Sequence, residues 1–228
     1  MDARILADIN AARQERRPVA LVTDIATGKQ VLLNSDAQMD DALRQQVEQR
    51  LKSGKSGIVI LQEKETFIQV HVPSPRLVII GAVHISQALV PMAQACGFDV
   101  LVIDPRTAFA SAERFPSVEL LAEWPQEILD DRPLDAYTAL VAVTHDPKID
   151  DFALQSALQQ QCFYVGALGS RKTHAKRLAR FTEAGIDETT TQRIHAPIGL
   201  DIGGANPAEI AVSIIGEVIE TLRKGPQA

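Results

Sequence analysis

Five polar side chains that could bind a small molecule stand directly after short apolar runs. His84 follows LVIIGAV, Asp104 follows VLVI, His145 follows ALVAVT, and Arg171 and Lys172 follow YVGALGS. Histidine can ligate a metal, transfer a proton or bind an anion, and an aspartate can bind ribose hydroxyls. Two cations at a helix start oppose the helix dipole unless an anion is bound there. These residues predict a site for an anionic small molecule and leave its chemistry open.

The segment GAVHIS matches a dinucleotide-binding fingerprint, G-x-G-x-x-G, at one position of three. Gly81 is present, but Val83 and Ser86 replace the other two glycines. Gly81 suits the tight turn between a strand and a helix, whereas a β-branched Val83 would stand where the backbone approaches a pyrophosphate. The N–H groups of the following helix still favour an anion. This pattern makes a nucleotide-binding site a weaker prediction and leaves it as an alternative.

Asp104 supports two interpretations. It lies 23 residues after Gly81, about where an acidic residue binds the ribose of an adenine nucleotide. Alternatively, it caps the turn that it makes with Pro105. The first interpretation supports an NAD(P)-dependent oxidoreductase, and the second does not.

No metal-binding motif is present, and neither cysteine has a partner at metal-ligand spacing. The candidate single ligands are His84, His145 and His195. His195 begins the loop HAPIGLDIGG, which either closes over the site or is a rigid connector. His174 is expected to be solvated. Cys96 and Cys162 are expected to be reduced, buried thiols.

These side chains need a framework, and the pattern from residue 77 onward predicts one. Short apolar strands alternate with helices, which is typical of a parallel sheet covered on both faces. We therefore predict an α/β, Rossmann-like domain over 76–228. Its ligand crevice lies beyond the carboxyl ends of the strands, and the usual order 3-2-1-4-5 would bring His84 and His145 to one crevice. The residues predicted to bind a ligand there are Gly81, Ala82, Val83, His84, Asp104, Arg106, His145, Gly169, Ser170 and Arg171.

Residues 1–72 predict a smaller α+β domain. Its order is helix, strand, strand, helix, strand, strand, and Pro73-Ser74-Pro75 is the expected boundary because two prolines interrupt both helix and sheet. Its exposed strands are a candidate surface for a homodimer.

Composition limits the partners. The 228 residues carry a net charge of −6, which argues against nonspecific binding to nucleic acid or anionic membranes. No apolar run approaches the ~18 residues of a membrane span. The first residues have an amphipathic helix pattern and lack the apolar core of a signal peptide. A cytoplasmic protein is expected.

Five segments in this order and spacing resemble the XdhC/CoxI family of accessory proteins for molybdenum hydroxylases. They are LVIIGAVHISQAL, VIDPRTAFASAERFP, VAVTHDPKID, YVGALGSRKTHAKRL and HAPIGLDIGGANPAEIAVSI. The resemblance implies a Rossmann fold and a maturation factor. Such a factor binds the molybdenum cofactor (molybdopterin or its dinucleotide), promotes its sulfuration through a cysteine desulfurase, and passes it to the apo-enzyme of a xanthine or carbon monoxide dehydrogenase.

One departure from that family concerns the first domain. Members often carry a cysteine in a glycine-rich segment of the N-terminal domain, but residues 1–72 contain no cysteine. The residues of this part therefore do not predict sulfur or molybdenum ligation. No Ser-His-Asp, H-E-x-x-H or Walker pattern occurs, which favours a non-enzymatic chaperone. The alternative is a nucleotide-binding oxidoreductase that uses NAD(P).

Overall fold

The computed structural model describes residues 2–34 and 37–224. The chain divides into two compact units, Met1–Pro73 and Ser74–Ala228. No helix in the described part of the chain has the length and apolar character needed to cross a bilayer.

The first unit is a four-stranded antiparallel sheet with two helices, as the predicted α+β class requires. Its strand order is β2-β1-β4-β3. Its elements are α1 (Ala3–Gln14), β1 (Val19–Asp24), β2 (Gln30–Leu33), α2 (Asp41–Ser53), β3 (Gly57–Leu61) and β4 (Lys64–His71).

Helix α2 begins at Asp41. The carboxylate of Asp40 accepts the backbone N–H of Leu43 at 2.8 Å and caps the helix, so the preceding residues lie outside it. Val47 and Leu51 are buried in one cluster with residues of β1 and β4. This unit therefore has a small apolar core of its own.

The second unit is a six-stranded parallel sheet, which confirms the predicted Rossmann-like class. The strand order is β10-β9-β8-β5-β6-β7. Its strands are β5 (Arg76–Ile80), β6 (Asp99–Ile103), β7 (Glu119–Leu121), β8 (Thr138–Ala142), β9 (Tyr164–Ala167) and β10 (Ile194–His195). Its helices are α3 (His84–Ala95), α4 (Pro125–Asp131), α5 (Pro147–Gln159), α6 (Arg171–Glu183), α7 (Glu188–Thr191) and α8 (Pro207–Lys224).

Helices cover both faces of this sheet. In β5, Leu77 and Ile79 pack into a cluster with α3 and α8, whereas Val78 and Ile80 pack into a second cluster with α4, α5 and α6. Successive side chains of a strand point to opposite faces, so a strand buried on both needs an unbroken apolar run. This explains the apolar runs that predict the class.

Two sequence expectations differ from the fold, and one short helix is not predicted. That helix is α4, which has only seven residues. His195 does not begin a loop but ends β10, which pairs with β9 as the sixth strand. Cys162 is buried, and burial raises the pKa of its thiol to about 12. Cys96, however, is exposed, because it lies at the C-terminal end of α3.

Candidate functional site

The site lies at the carboxyl edge of the parallel sheet, where strand order reverses between the neighbours β5 and β8. Gly81 follows β5 with a φ of 115°, a value that disfavours side chains. A Cβ placed on it would lie 2.7 Å from Cγ2 of Thr144, in the turn after β8. The two turns are therefore packed together, and only glycine fits between them.

Ser86 completes the Gly81 turn in a way that the fingerprint comparison misses. It stands at the third glycine position, is fully buried, and donates from Oγ to the carbonyl of Gly81 at 2.5 Å. Val83, which directly precedes α3, is partly buried and packs against the core of the second unit.

Asp104 caps its own turn. Its buried carboxylate accepts the backbone N–H of Ala82 at 2.7 Å and that of Arg106 at 2.9 Å. The guanidinium of Arg106 donates to both oxygens. Burial alone would raise the pKa of Asp104, but these donors together lower it.

This arrangement favours the turn-capping interpretation of Asp104 and a supporting role for Ala82. The oxygens of Asp104 already accept four hydrogen bonds, so they are not free for a ribose. The N–H of Ala82 points to that carboxylate and not to a ligand. Arg106 remains partly exposed and lies over the ring of Phe109, 4.4 Å from its centre.

The two histidines of the predicted crevice are both exposed, at the ends of neighbouring strands. His84 is the first residue of α3. His145 lies in the turn between β8 and α5, with a φ of 65°. This left-handed conformation is uncommon outside glycine and is found at many functional sites.

Helix α6 begins as predicted. The hydroxyl of Ser170 accepts the N–H of Thr173 at 3.2 Å, Gly169 before it has a φ of 139°, and Arg171 and Lys172 are exposed in the first turn. Helix α3 has no side-chain cap. The first turns of α3 and α6 contain no acidic residue, whereas those of α4, α5, α7 and α8 each contain one. Both uncompensated helix ends lie at the carboxyl edge of the sheet.

A buried polar group beneath this edge is not recognisable from the sequence. Asp150 is 1% exposed; Thr144 donates to its Oδ1 at 2.7 Å, and its Oδ2 has no hydrogen-bond partner among the described residues. Burial raises the pKa of Asp150 to about 6, although Thr144 and Arg177 oppose the change. Arg177 is 2% exposed and donates from Nη2 to the carbonyl of Leu168 at 3.2 Å. Nothing in the pattern RKTHAKRLAR distinguishes it from its solvated neighbours.

His174 is not solvated as expected. It is partly buried, its Nδ1 lacks a partner within the described chain, and burial together with nearby Arg177 lowers its pKa. The sequence predicts that His174 lies on a basic helix, but the side of α6 that carries His174 packs against the rest of the second unit.

His195 is held by α8. Its Nδ1 lies 3.0 Å from Oε1 of Glu217, and its ring lies 4.6 Å from that of Tyr164. Glu217 is not among the predicted residues, since its position in α8 resembles any other in an amphipathic helix.

The described residues contain no group of three or more His, Cys, Asp or Glu side chains that could hold a metal ion. What the edge does offer is two helix N-termini, exposed cations and oriented polar groups. Such a set can bind an anionic small molecule.

One family model matches most of the second unit of the chain. Residues 77–218 match the family model described as the XdhC Rossmann domain. The chain is 33% identical over 165 residues to an uncharacterized protein, YqeB, of Escherichia coli, and the match covers 70% of this chain and 30% of the relative. It is 32% identical to a probable subunit of the xanthine dehydrogenase of Bacillus subtilis, over 72% of this chain and 48% of the relative.

A third relative is the molybdenum cofactor insertion chaperone PaoD of Escherichia coli. It is 32% identical over 64% of this chain and 40% of its own length. The chain thus spans less than half the length of each of these relatives. A crystal structure described as a xanthine dehydrogenase from Bacillus halodurans has the same fold, with a TM-score of 0.67 and 22% identity over 99% of this chain and 66% of that one.

Proposed function

Because the chain belongs to the XdhC family, as the match over residues 77–218 shows, we propose that it is a maturation factor for molybdenum hydroxylases of the xanthine or carbon monoxide dehydrogenase type. In this proposal it binds the molybdenum cofactor as cargo, as molybdopterin or its dinucleotide, and assists its sulfuration or insertion. The 32% identity to a molybdenum cofactor insertion chaperone supports this function over others.

The observation that carries the proposal is the pair of uncompensated helix N-termini at the carboxyl edge. Acidic side chains normally occupy first turns because they stabilise the helix dipole. In α3 and α6 they are absent, and α6 has Arg171 and Lys172 instead. A phosphate would supply the missing negative charge, and molybdopterin carries a phosphate group.

The proposed binding residues are those of the predicted set that the structure leaves available. We retain Gly81 and Val83 for the turn, and His84, His145 and Arg106 as side-chain donors. We also retain Gly169, Ser170 and Arg171 at the start of α6. Asp104 and Ala82 support this turn from behind through their mutual hydrogen bond.

An NAD(P)-dependent oxidoreductase is the weaker alternative. An NAD-dependent enzyme of this fold binds the ribose through a carboxylate, and the carboxylate of Asp104 is buried and fully hydrogen-bonded. Calorimetric titration with NAD(H) and NADP(H) tests it directly. We expect no binding at concentrations at which a dinucleotide enzyme would be saturated.

The proposed partners follow from the proposed role. They are the apo-enzyme subunit of a molybdenum hydroxylase and a cysteine desulfurase, in the cytoplasm. The first unit has no cysteine, so we assign it no sulfur-carrying role. Ile58 and Ile60 of β3 are 57% and 75% exposed, and we retain this strand as a candidate homodimer surface.

The test is to express the protein in cells that make the cofactor and to measure the molybdopterin that copurifies. Wild-type protein should retain pterin. The double variant Arg171→Ala/Lys172→Ala should retain about tenfold less, since two charge-assisted contacts are lost. Lys176→Ala is the matched control, because Lys176 is an exposed cation on the same helix beyond its first turn.

Absence of pterin from the wild-type protein would contradict the function. An equal loss in Lys176→Ala would contradict the location, because it would mean that general positive charge and not the helix end attracts the cofactor.

A further inference from the structure

His195 has a more restricted environment than His84 and His145. It ends the short edge strand β10 and pairs with Gly166 of β9. Its side chain is 28% exposed. One face of its ring lies against Tyr164, with the two ring planes inclined by 31°. The imidazole is thus fixed by packing while one part of it reaches solvent.

Glu217 fixes the protonation pattern of this ring. Its Oε2 accepts the hydroxyl of Tyr164 at 2.6 Å and the N–H of Gly199 at 2.8 Å, and its Oε1 faces Nδ1 of His195. Two donors already point at Oε2, so Glu217 acts here as a hydrogen-bond acceptor. Oε1 then accepts from Nδ1, which carries the proton. The lone pair of the neutral ring is then on Nε2.

Nε2 has no hydrogen-bond partner within the described part of the chain. An imidazole held through Nδ1 by a carboxylate, with Nε2 open, is the usual arrangement of a metal-ligating histidine. Yet no set of three ligating side chains is present among the described residues, so His195 alone cannot hold an ion. It can fill only one position on a metal whose other ligands arrive with it.

We propose that Nε2 of His195 ligates the metal of a small-molecule metal complex at a single coordination position, with Glu217 as the positioning residue. The proposal deepens the function proposed above, in which the cargo is such a complex. The carboxyl ends of β9 and β10 lie one strand spacing apart, about 5 Å. The loop after β9 leads within four residues to Arg171. His195 and the start of α6 therefore lie at the same edge of the sheet.

A single protein–metal bond also suits a carrier. A protein that supplied three or four ligands would hold its metal tightly and release it slowly. One imidazole contributes a contact that orients the complex and leaves it free to be passed on.

The test uses Cu²⁺ iminodiacetate, a chelated metal with open positions, on the full chain. Site-resolved NMR of the imidazole groups follows the broadening of each histidine as the complex is added. In the wild-type protein we expect the Nδ1–H tautomer at His195 and broadening there at a lower concentration than at the exposed His84 and His145. His195→Ala should remove this first event.

Glu217→Gln tests the positioning role. It should weaken binding at His195 about tenfold, in the range that outer partners of metal-bound histidines contribute. Binding at His84 should not change, which makes that residue an internal reference for the fold. Tyr164→Phe is the companion variant if Glu217→Gln does not fold; it keeps the ring and should weaken binding less.

Three results would overturn the inference: an Nε2–H tautomer in the wild-type protein, later broadening at His195 than at His84, or equal binding in Glu217→Gln. None of these measurements needs the molybdenum cofactor. Copurified pterin without copper binding at His195 would refute only this inference, and copper binding without pterin would refute only the proposed function.

Discussion

Two largely buried carboxyl groups, one on each face of the parallel sheet, have pKa values shifted in opposite directions. Glu217 comes from α8 and Asp150 from the first turn of α5. Glu217 has partners on both oxygens, from Tyr164, Gly199 and His195. Asp150 has a hydroxyl on Oδ1 and no partner on Oδ2 within the described residues. The pKa of Glu217 is lowered, and that of Asp150 is raised to about 6.

Burial alone therefore does not set the charge of a carboxyl group. Burial disfavours the ionised form at both sites, and the number of donors decides the outcome. Glu217, with its lowered pKa, is consequently ionised at neutral pH and is suited to orienting an imidazole. Asp150 changes its charge near neutral pH, directly beneath the turns that border the proposed ligand crevice.

Replacing Glu217 should have the largest effect. Glu217→Ala leaves the hydroxyl of Tyr164 and the N–H of Gly199 without a partner in a mostly buried place, so we expect the free energy of unfolding at pH 7 to fall by about 4 kcal/mol. Urea denaturation measures this. A loss under about 1 kcal/mol would show that water replaces the carboxylate. The hydrogen bonds that distinguish Glu217 from Asp150 would then contribute little to stability.

Asp150→Asn should change the pH dependence of stability. Between the unfolded pKa near 3.8 and the folded pKa of about 6, the folded wild-type protein holds a proton that the unfolded chain has lost. Wild-type stability relative to the variant is therefore highest below pH 3.8 and falls by up to about 3 kcal/mol as the pH rises through 6. Denaturation curves at several pH values test this. Parallel curves for the two proteins would mean that Asp150 titrates normally.

Thr144→Val sharpens the contrast by removing the hydroxyl donor of Asp150. We expect about 2 kcal/mol of destabilisation at pH 7, because a hydrogen bond to a buried charge is lost. The pKa of Asp150 should also rise further, which extends the pH-dependent loss above about pH 6. NMR titration of the Asp150 carboxyl carbon follows that pKa directly. An unchanged pKa would mean that the hydroxyl of Thr144 does not lower the pKa of Asp150 in the wild-type protein.

Tyr164→Phe should have the smallest effect. It removes one donor from Glu217 and keeps the ring beneath His195, so we expect a loss of about 1.5 kcal/mol at pH 7. Since the wild-type pKa of Glu217 is lowered, this difference should shrink as the pH falls through that pKa and Glu217 becomes protonated. A difference that stays constant through the titration of Glu217 would attribute the loss to packing and not to the carboxylate.

Much of the fold is predictable because it depends on local chemistry. The two-sided apolar strands predict the parallel sheet, and Asn206 and Glu209 predict the start of α8. Asn206 accepts the N–H groups of Ala208 and Glu209, while Glu209 accepts that of Ala205. Hydrogen bonds between residues at most four positions apart can be recognised in a sequence.

The site is predictable only in part. Ser170 and the cations at the start of α6 can be recognised, since capping is local. The environments of Asp104, His174 and His195 cannot, because each depends on a segment distant in the chain or on how a helix face packs. Glu217 meets His195 across 22 residues, and Asp104 accepts the N–H of Ala82 across the same separation.

The amino-acid sequence is enough to predict the class of fold, the glycine turn after β5 and the family to which the chain belongs. These follow from periodicity, from backbone conformation and from motifs that recur in a fixed order. Folding is needed to show that Asp104 serves its own turn, that Asp150 is buried with an oxygen unpartnered among the described residues, and that His195 is oriented by Glu217. The charge and hydrogen-bonding of a side chain depend on the groups that folding brings around it, and those groups come from elsewhere in the chain.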